Sequence, residues 1–284
     1  QLFNVERVDF LKGPAGMLYG PGAPGGLFNY VTKKPSEEFG IEARAIAGQF
    51  DRVGGQFEIT GALPLEGSAG RLGVFVEHQD SFRVNADSRV RIYDAGVSHD
   101  FGAAKVTLQA TRYEQDQAGN RLRGVPVDDQ GEFRTDISWN HNEARDFLNL
   151  ESDNLQAIVE GAFGSVTWDA KLRWTSSAQE QEYHEPIQLV DVEAVLGAPT
   201  DGTPDLVARQ FRDQLREEEQ ITFGTNAIWS ADLGIVQNRL LMGYEHFEGS
   251  LDFLSGGLSP TPAMLQRFLA GHLTHIGGAF IRVF

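Results

Sequence analysis

Residues 5–35 read VERVDFLKGPAGMLYGPGAPGGLFNYVTKKP, and their reading decides how the rest of the chain is understood. Gly13-Pro14, Gly20-Pro21-Gly22 and Pro24-Gly25-Gly26 are turn signals, because glycine tolerates positive φ and proline pre-sets a bend. On either side lie short apolar alternations. Val5, Val8, Phe10 and Leu11 surround Glu6, Arg7 and Asp9, while Leu27, Phe28, Tyr30 and Val31 surround Asn29 and Thr32. Both predict short strands, bracketing a tight turn of chain at Ala15–Tyr19. The glycines match neither the dinucleotide fingerprint nor the phosphate-loop motif followed by a long helix, so they are not read as a phosphate cradle.

Beyond Pro35 the chain alternates apolar and polar residues with period two, segment after segment, which is the signature of β-strands. Ile41, Ala43, Ala45 and Ala47 begin the series, then Phe57 and Ile59, then Leu72, Val74 and Val76. A fourth segment runs from about Arg91 to Phe101, and a fifth sets Val106, Leu108 and Ala110 against Lys105, Thr107, Gln109 and Thr111. Leu155, Ala157, Val159 and Phe163 mark a sixth; Trp168, Ala170, Leu172 and Trp174 a seventh. Ile221, Phe223, Ala227 and Trp229 mark an eighth, and Leu240, Met242 and Tyr244 a ninth. Ala279–Phe284 is a further alternating segment. Short links at 65–70, 101–104, 164–165 and 233–237 alternate with long ones at 82–88, 117–149, 180–216 and 254–271. Short turns on one side and long loops on the other are expected of an outer-membrane barrel. Two of the long links carry helical patterns, Asp205–Leu215 and the stretch opened by Thr261-Pro262 and closed at Gly271.

The 284 residues hold 24 Lys+Arg and 40 Asp+Glu, a formal charge of −16 that argues against nucleic acid as a partner. It suits water on two sides, or a lipopolysaccharide layer bridged by divalent cations. With no cysteine there is no disulfide, thiol nucleophile or thiolate metal site. No apolar run reaches the roughly 18 residues of a spanning helix. Barrel strands keep mean hydropathy low, so that does not decide between water and membrane.

The run LKGPAGMLYGPGAPGGLFNYVTKKP resembles the end of the plug domain in TonB-dependent outer-membrane receptors, in the ferric-siderophore branch. The resemblance implies an all-β fold. Residues 1–35 are expected to be the C-terminal part of a plug domain. Residues 36–284 are expected to form the N-terminal part of a transmembrane antiparallel β-barrel of about 22 strands when complete. With nine or ten strands assignable, the chain is read as a fragment. The implied function is import of ferric siderophores across the Gram-negative outer membrane, driven through the TonB-ExbB-ExbD complex. No enzyme chemistry and no resident cofactor are implied, the iron travelling inside its ligand. Alternatives are another cargo (cobalamin, haem or an oligosaccharide), a passive porin, and a soluble β-sandwich binding module.

The same resemblance assigns candidate residues. Lys12 is expected to contact acidic groups on the inner wall and hold the plug, whereas Gly13, Pro14, Gly20, Gly25, Gly26 and Asn29 complete the plug motif. For the ligand, the long loops offer Trp139 and His141, Tyr183 and His184. Their flat faces suit rigid iron chelates, and Arg121 and Arg123 could attract anionic ones. His272 and His275 at i, i+3 would point to opposite faces of a strand and are not read as a metal site. Glu217-Glu218-Glu219 and Asp128-Asp129 are read as solvated charge, and no nucleophile elbow appears.

Overall fold

The computed structural model describes residues 2–13, 25–119, 124–128, 130–191, 193, 206–232, 234, 237–258 and 280–282. The turn at Ala15–Tyr19, Pro14, Gly20, Arg121, Arg123, the helical pattern after Thr261 and the pair His272/His275 lie outside them.

Two antiparallel sheets carry the fold. The first is a hairpin of β1 (Val5–Lys12) and β2 (Gly26–Thr32), the two strands expected from the alternation at the start of the chain. Gly26 is required there: at φ +121° its added Cβ would lie 2.1 Å from the carbonyl oxygen of Leu11. The second sheet is a meander in which each strand pairs with the next. It comprises β3 (Gly40–Ala47), β4 (Val53–Ala62), β5 (Ser68–Gln79), β6 (Ser88–Asp100), β7 (Ala104–Ala118), β8 (Phe147–Phe163), β9 (Val166–Val190), β10 (Leu206–Asp232) and β11 (Gln237–Leu258). A short β12 (Phe280–Arg282) pairs with Leu206–Ala208. The sheet does not close among the described residues; β3 and β11 are its edges. Between β8 and β9 the turn is only Gly164-Ser165, with Gly164 at φ +57°, as a two-residue hairpin loop demands.

Register sorts the side chains onto two faces. One row runs Val97, Leu108, Ala157, Leu172, Phe223 across five strands, and is apolar throughout. The next row, one residue along, runs Gly96, Gln109, Gln156, Arg173, Thr222 and is mostly polar. Leu72, Leu108, Leu155 and Leu172 are all about half exposed or more (61, 50, 51 and 49%), and among the described residues no second sheet packs on them. A soluble sandwich would bury that face; a barrel in lipid leaves it outward and turns the polar face to the lumen. The hairpin sits on the polar face. There Phe3 packs into a small core of Phe75, Val90 and Ile92, flanked by Ile46 and Tyr113.

Three sequence expectations need correction. Asp205–Leu215 is not helical: from Leu206 it is the start of β10. The supposed loop 180–216 is largely ladder, since β9 runs on to Val190 and β10 pairs with it from Leu206. Of the loop expected at 254–271, residues 254–258 belong to β11, and the rest lies outside the described residues. The alternation marks only the stretch where one face is apolar throughout. Beyond it the far ends of β9 and β10 bury residues of mixed polarity, among them Tyr183, His184, Val207 and Arg209, so the hydrogen-bond ladder continues with no apolar period to announce it.

Candidate functional site

Two buried polar clusters stand out, one beneath the hairpin and one beyond the apolar band. In the first, both ends of the hairpin meet the wall at one place, tied to each other by the Lys33 amide donating to the Asn4 carbonyl at 2.9 Å. Asn4 Nδ2 donates to Asp94 at 3.1 Å, Thr32 Oγ1 donates to Gln109 Oε1 at 3.2 Å, and Gln109 Nε2 donates to the Lys33 carbonyl at 2.6 Å. Lys33 Nζ donates to Glu58 Oε2 at 2.8 Å, and the same oxygen accepts from Arg71 Nη2 at 2.7 Å. Arg71 also pairs with Asp94, which accepts from Thr111 Oγ1 at 2.7 Å. Lys34 reaches Glu160 at 2.6 Å. These residues were not singled out in the sequence. Their only signal is that Glu58, Arg71 and Asp94 occupy the polar phase of three consecutive strands, which a register brings together and a linear reading does not.

Lys12 is exposed, its ammonium 5.9 Å from the Phe10 ring, and it makes no ion pair among the described residues. Gly13 adopts φ +85°, and its amide donates to the Gly25 carbonyl at 3.3 Å. Asn29 Nδ2 donates to its cross-strand neighbour Asp9 at 3.3 Å.

In the second cluster the loop before β8 folds onto the far ends of β9 and β10. His184, fully buried, sets Nδ1 2.9 and 3.0 Å from the two Asp146 oxygens, and its amide donates to Asp146 Oδ2 at 2.9 Å. The Glu143 amide adds a bond to the same oxygen at 3.0 Å. Burial pushes the Asp146 carboxyl up, but the hydrogen bonds from His184 and the Glu143 amide outweigh it and hold the group below its ordinary value. His141 Nδ1 donates to the His184 carbonyl at 2.7 Å; Arg209 donates to the His141 carbonyl and, at 2.5 Å, to Glu143. Asn140 and Arg83 tie this loop to the neighbouring one, through the Val84 carbonyl at 2.8 Å and the Trp139 carbonyl at 3.0 Å.

Four of the expected ligand residues are thus brought into one region. Three of them, His141, Tyr183 and His184, have almost no exposed surface and hold the loop in place. Trp139 is partly exposed and lines a cleft of about 170 Å³ with Pro126, His141, Pro186, Ile187 and Val207. A concavity of about 800 Å³ on the face opposite the hairpin is lined by Ile59, Leu72, Val97, Leu108, Leu155 and Trp174, residues of the apolar rows. Among the described residues no cluster of three or more His, Asp or Glu could hold a metal ion, and no helix is long and apolar enough to cross a membrane.

An antiparallel wall, apolar on one face and polar on the other, with a glycine-rich hairpin fastened to its polar face, has the fold of the plug-and-barrel receptors. Within that class, the chain's homologues and structural neighbours are TonB-dependent siderophore receptors. It is 25% identical over 258 residues to the ferripyoverdine receptor of Pseudomonas aeruginosa, covering 79% of this chain and 29% of that protein. Over 87 residues it is 43% identical to the metal-pseudopaline receptor of the same organism, covering 30% of this chain and 12% of that one. Its fold matches the ferric-catecholate import receptor Fiu of Escherichia coli K12 in the open form. The TM-score is 0.77 at 20% identity, over 88% of this chain and 40% of that one. No family model matches the chain. The chain therefore spans well under half the length of these relatives.

Proposed function

We propose that this chain is the plug end and the adjoining barrel wall of a receptor that imports a ferric siderophore across the outer membrane, working with TonB-ExbB-ExbD. The observation that carries the reading is the two-sidedness of the sheet. Its outer rows are apolar and its inner rows polar, and the hairpin is hydrogen-bonded to the inner rows alone. In this reading the plug blocks a lumen too wide to be left open. Cargo binds from outside, and force from the inner membrane rearranges the plug. No bond is made or broken, and the protein acts as a transporter, not an enzyme. The outward apolar rows meet outer-membrane lipid, and the acidic flanks above them meet the lipopolysaccharide layer. Trp139 and its cleft are a contact point for cargo; Arg121 and Arg123, in the same loop, attract an anionic chelate.

The test is growth of an iron-starved strain lacking its own siderophore receptors, carrying the complete gene and supplied with defined chelators. Rescue by at least one ferric hydroxamate or catecholate, abolished by removal of TonB, is the expected result. Uptake that persists without TonB would point to a passive pore. A second reading, a chelate of a metal other than iron, is favoured by the 43% identity to the metal-pseudopaline receptor. Uptake of radiolabelled zinc or nickel with and without chelator separates the two.

A further inference from the structure

The wall beneath the hairpin carries a buried charge imbalance. Among the described residues Arg71 is the one cation on the wall side of the network, with 1% of its side chain exposed, and it faces two carboxylates, Glu58 at 13% and Asp94 at 2%. Counted on the wall alone, these three groups sum to one uncompensated negative charge in a region shielded from water. The remaining contacts of Asp94, from Asn4 and Thr111, are neutral donors and do not alter that sum. A buried, unmatched charge is costly, and a partner that neutralises it while donating a hydrogen bond removes most of that cost. The hairpin supplies such a partner. Lys33 donates to the Glu58 oxygen that already accepts from Arg71, and its ammonium is three-quarters buried, with 25% of the side chain exposed. Glu42, 3.7 Å away and 45% exposed, is open to solvent and contributes little.

We propose that Lys33 is the positioning residue that seats the plug, its ammonium completing a wall site of Glu58, Arg71 and Asp94 that is electrostatically incomplete without it. The proposal rests on the reading of the hairpin as the plug end. It adds to the fastening expected at Lys12, which faces no acid among the described residues, a second one in the linker that leaves the hairpin. It also gives the wall a means of recapturing the plug: whenever the linker lifts away, the site is left with its unmatched carboxylate. The second linker cation, Lys34, pairs with Glu160 at 35 and 42% exposure, and is held correspondingly weakly.

The experiment uses the complete receptor, purified in lipid nanodiscs without cargo, with spin labels at Leu2→Cys and Leu65→Cys. Leu2 lies at the foot of the hairpin and Leu65 in the β4–β5 turn; both are largely exposed, and neither belongs to the network. This chain has no cysteine of its own; any elsewhere in the protein are replaced. The wild type should give one narrow distance. Lys33→Met should raise the population at longer distances about tenfold, equivalent to about 1.4 kcal/mol. Lys33→Arg, which keeps the charge and the donor, should restore the narrow distance. Glu58→Gln should resemble Lys33→Met, and the double variant should be no worse than the worse single one, as required of two groups in one network. An unchanged distribution in Lys33→Met overturns the proposal, as does full additivity with Glu58→Gln. Because Lys33→Met leaves Arg71, Glu58 and Asp94 in place, the wall folds in that variant even if Glu58→Gln disturbs it. The distances need neither cargo nor energy, so their failure leaves the import reading intact; absent uptake with normal distances overturns import and leaves the seat standing.

Discussion

The lower and upper parts of the same strands obey different rules. On β9 the outward residues Trp168, Ala170, Leu172 and Trp174 are apolar; two residues further the face turns to Ser176, Ala178, Glu180 and Glu182. At roughly 3.3 Å per residue the 25 residues of β9 span on the order of 80 Å, far more than the apolar band needs even with a strand tilt near 45°. The neighbours β10 and β11, with 27 and 22 residues, do the same. The lower part presents one continuous apolar face, whereas the upper part is held by its own buried polar contacts. The lesson is that exposure has two meanings here. Leu108 and Leu254 are both half exposed or more, at 50 and 67%, yet only Leu108 belongs to the continuous apolar rows.

The hardest test of that contrast is a charge placed on each. Leu108→Arg, in the row Val97–Leu108–Ala157–Leu172–Phe223 within the apolar band, should cost about 2–4 kcal/mol of folding free energy in bilayers in the complete receptor, whereas Leu254→Arg should cost about 0–1 kcal/mol. Guanidinium titration into lipid vesicles, followed by tryptophan fluorescence, measures both. Equal costs at the two positions would erase the distinction between band and extension.

The upper region should instead depend on its polar cluster. Asp146→Asn keeps the shape but removes the charge and one acceptor that His184 uses, and should cost about 1–3 kcal/mol of local stability. Amide exchange over 139–146 reads this directly: protection there should fall while the β5–β7 ladder is unaffected. Acid should have the same effect in milder form. The Asp146 carboxyl is held below its ordinary value of 3.8, so its contribution is fully present above that pH and fades as pH falls through the lowered value. Exchange protection of the loop should therefore be flat from pH 7 to 5 and decline only below about pH 4. Loss already at pH 6 would mean that another group controls the loop.

How much of this was legible in the sequence follows the same division. Each of the nine alternating segments after Pro35 falls in a strand, apart from Phe101 just past the end of β6, because side chains on one face of a strand repeat every second residue. The two strands of the hairpin were legible for the same reason, with turn chemistry between them. The far half of β9 and the near half of β10 were not, since EQEYHEPIQLV and LVARQFRDQLREEEQ carry no period two, their buried residues being polar and apolar alike. Asp205–Leu215 even offered a helical spacing of Leu206, Phe211 and Leu215, which the ladder to β9 overrode. The seat under the hairpin was invisible for another reason. Lys33, Glu58, Arg71 and Asp94 are separated by up to 61 positions (94 − 33), and only the register of three strands makes them neighbours. His141 and His184 were noticed as loop residues suited to a ligand, but nothing linear indicated that Asp146 and Arg209 would close over them.

The smallest effect belongs to the border between the two regions, and there its sign carries the information. Arg112 points outward one row above Leu155 and Ala110, and is shared by Glu114 at 3.2 Å, Glu151 at 2.6 Å and Asp153 at 2.6 Å. If this row stands in water or among lipid headgroups, the ion pairs are partly screened, and Arg112→Gln should destabilise by no more than about 1 kcal/mol, less at high salt. If the row lay within hydrocarbon, the cluster would keep a net negative charge there, and removing its cation would be far more damaging and insensitive to salt. The apolar band ends one row below, at Leu155 and Trp174, and Trp174 already donates its indole N–H to Glu219 at 2.7 Å, as an aromatic at the edge of a membrane does. The small, salt-sensitive loss is therefore the expected result, and it would fix the boundary of the band to within one pair of residues.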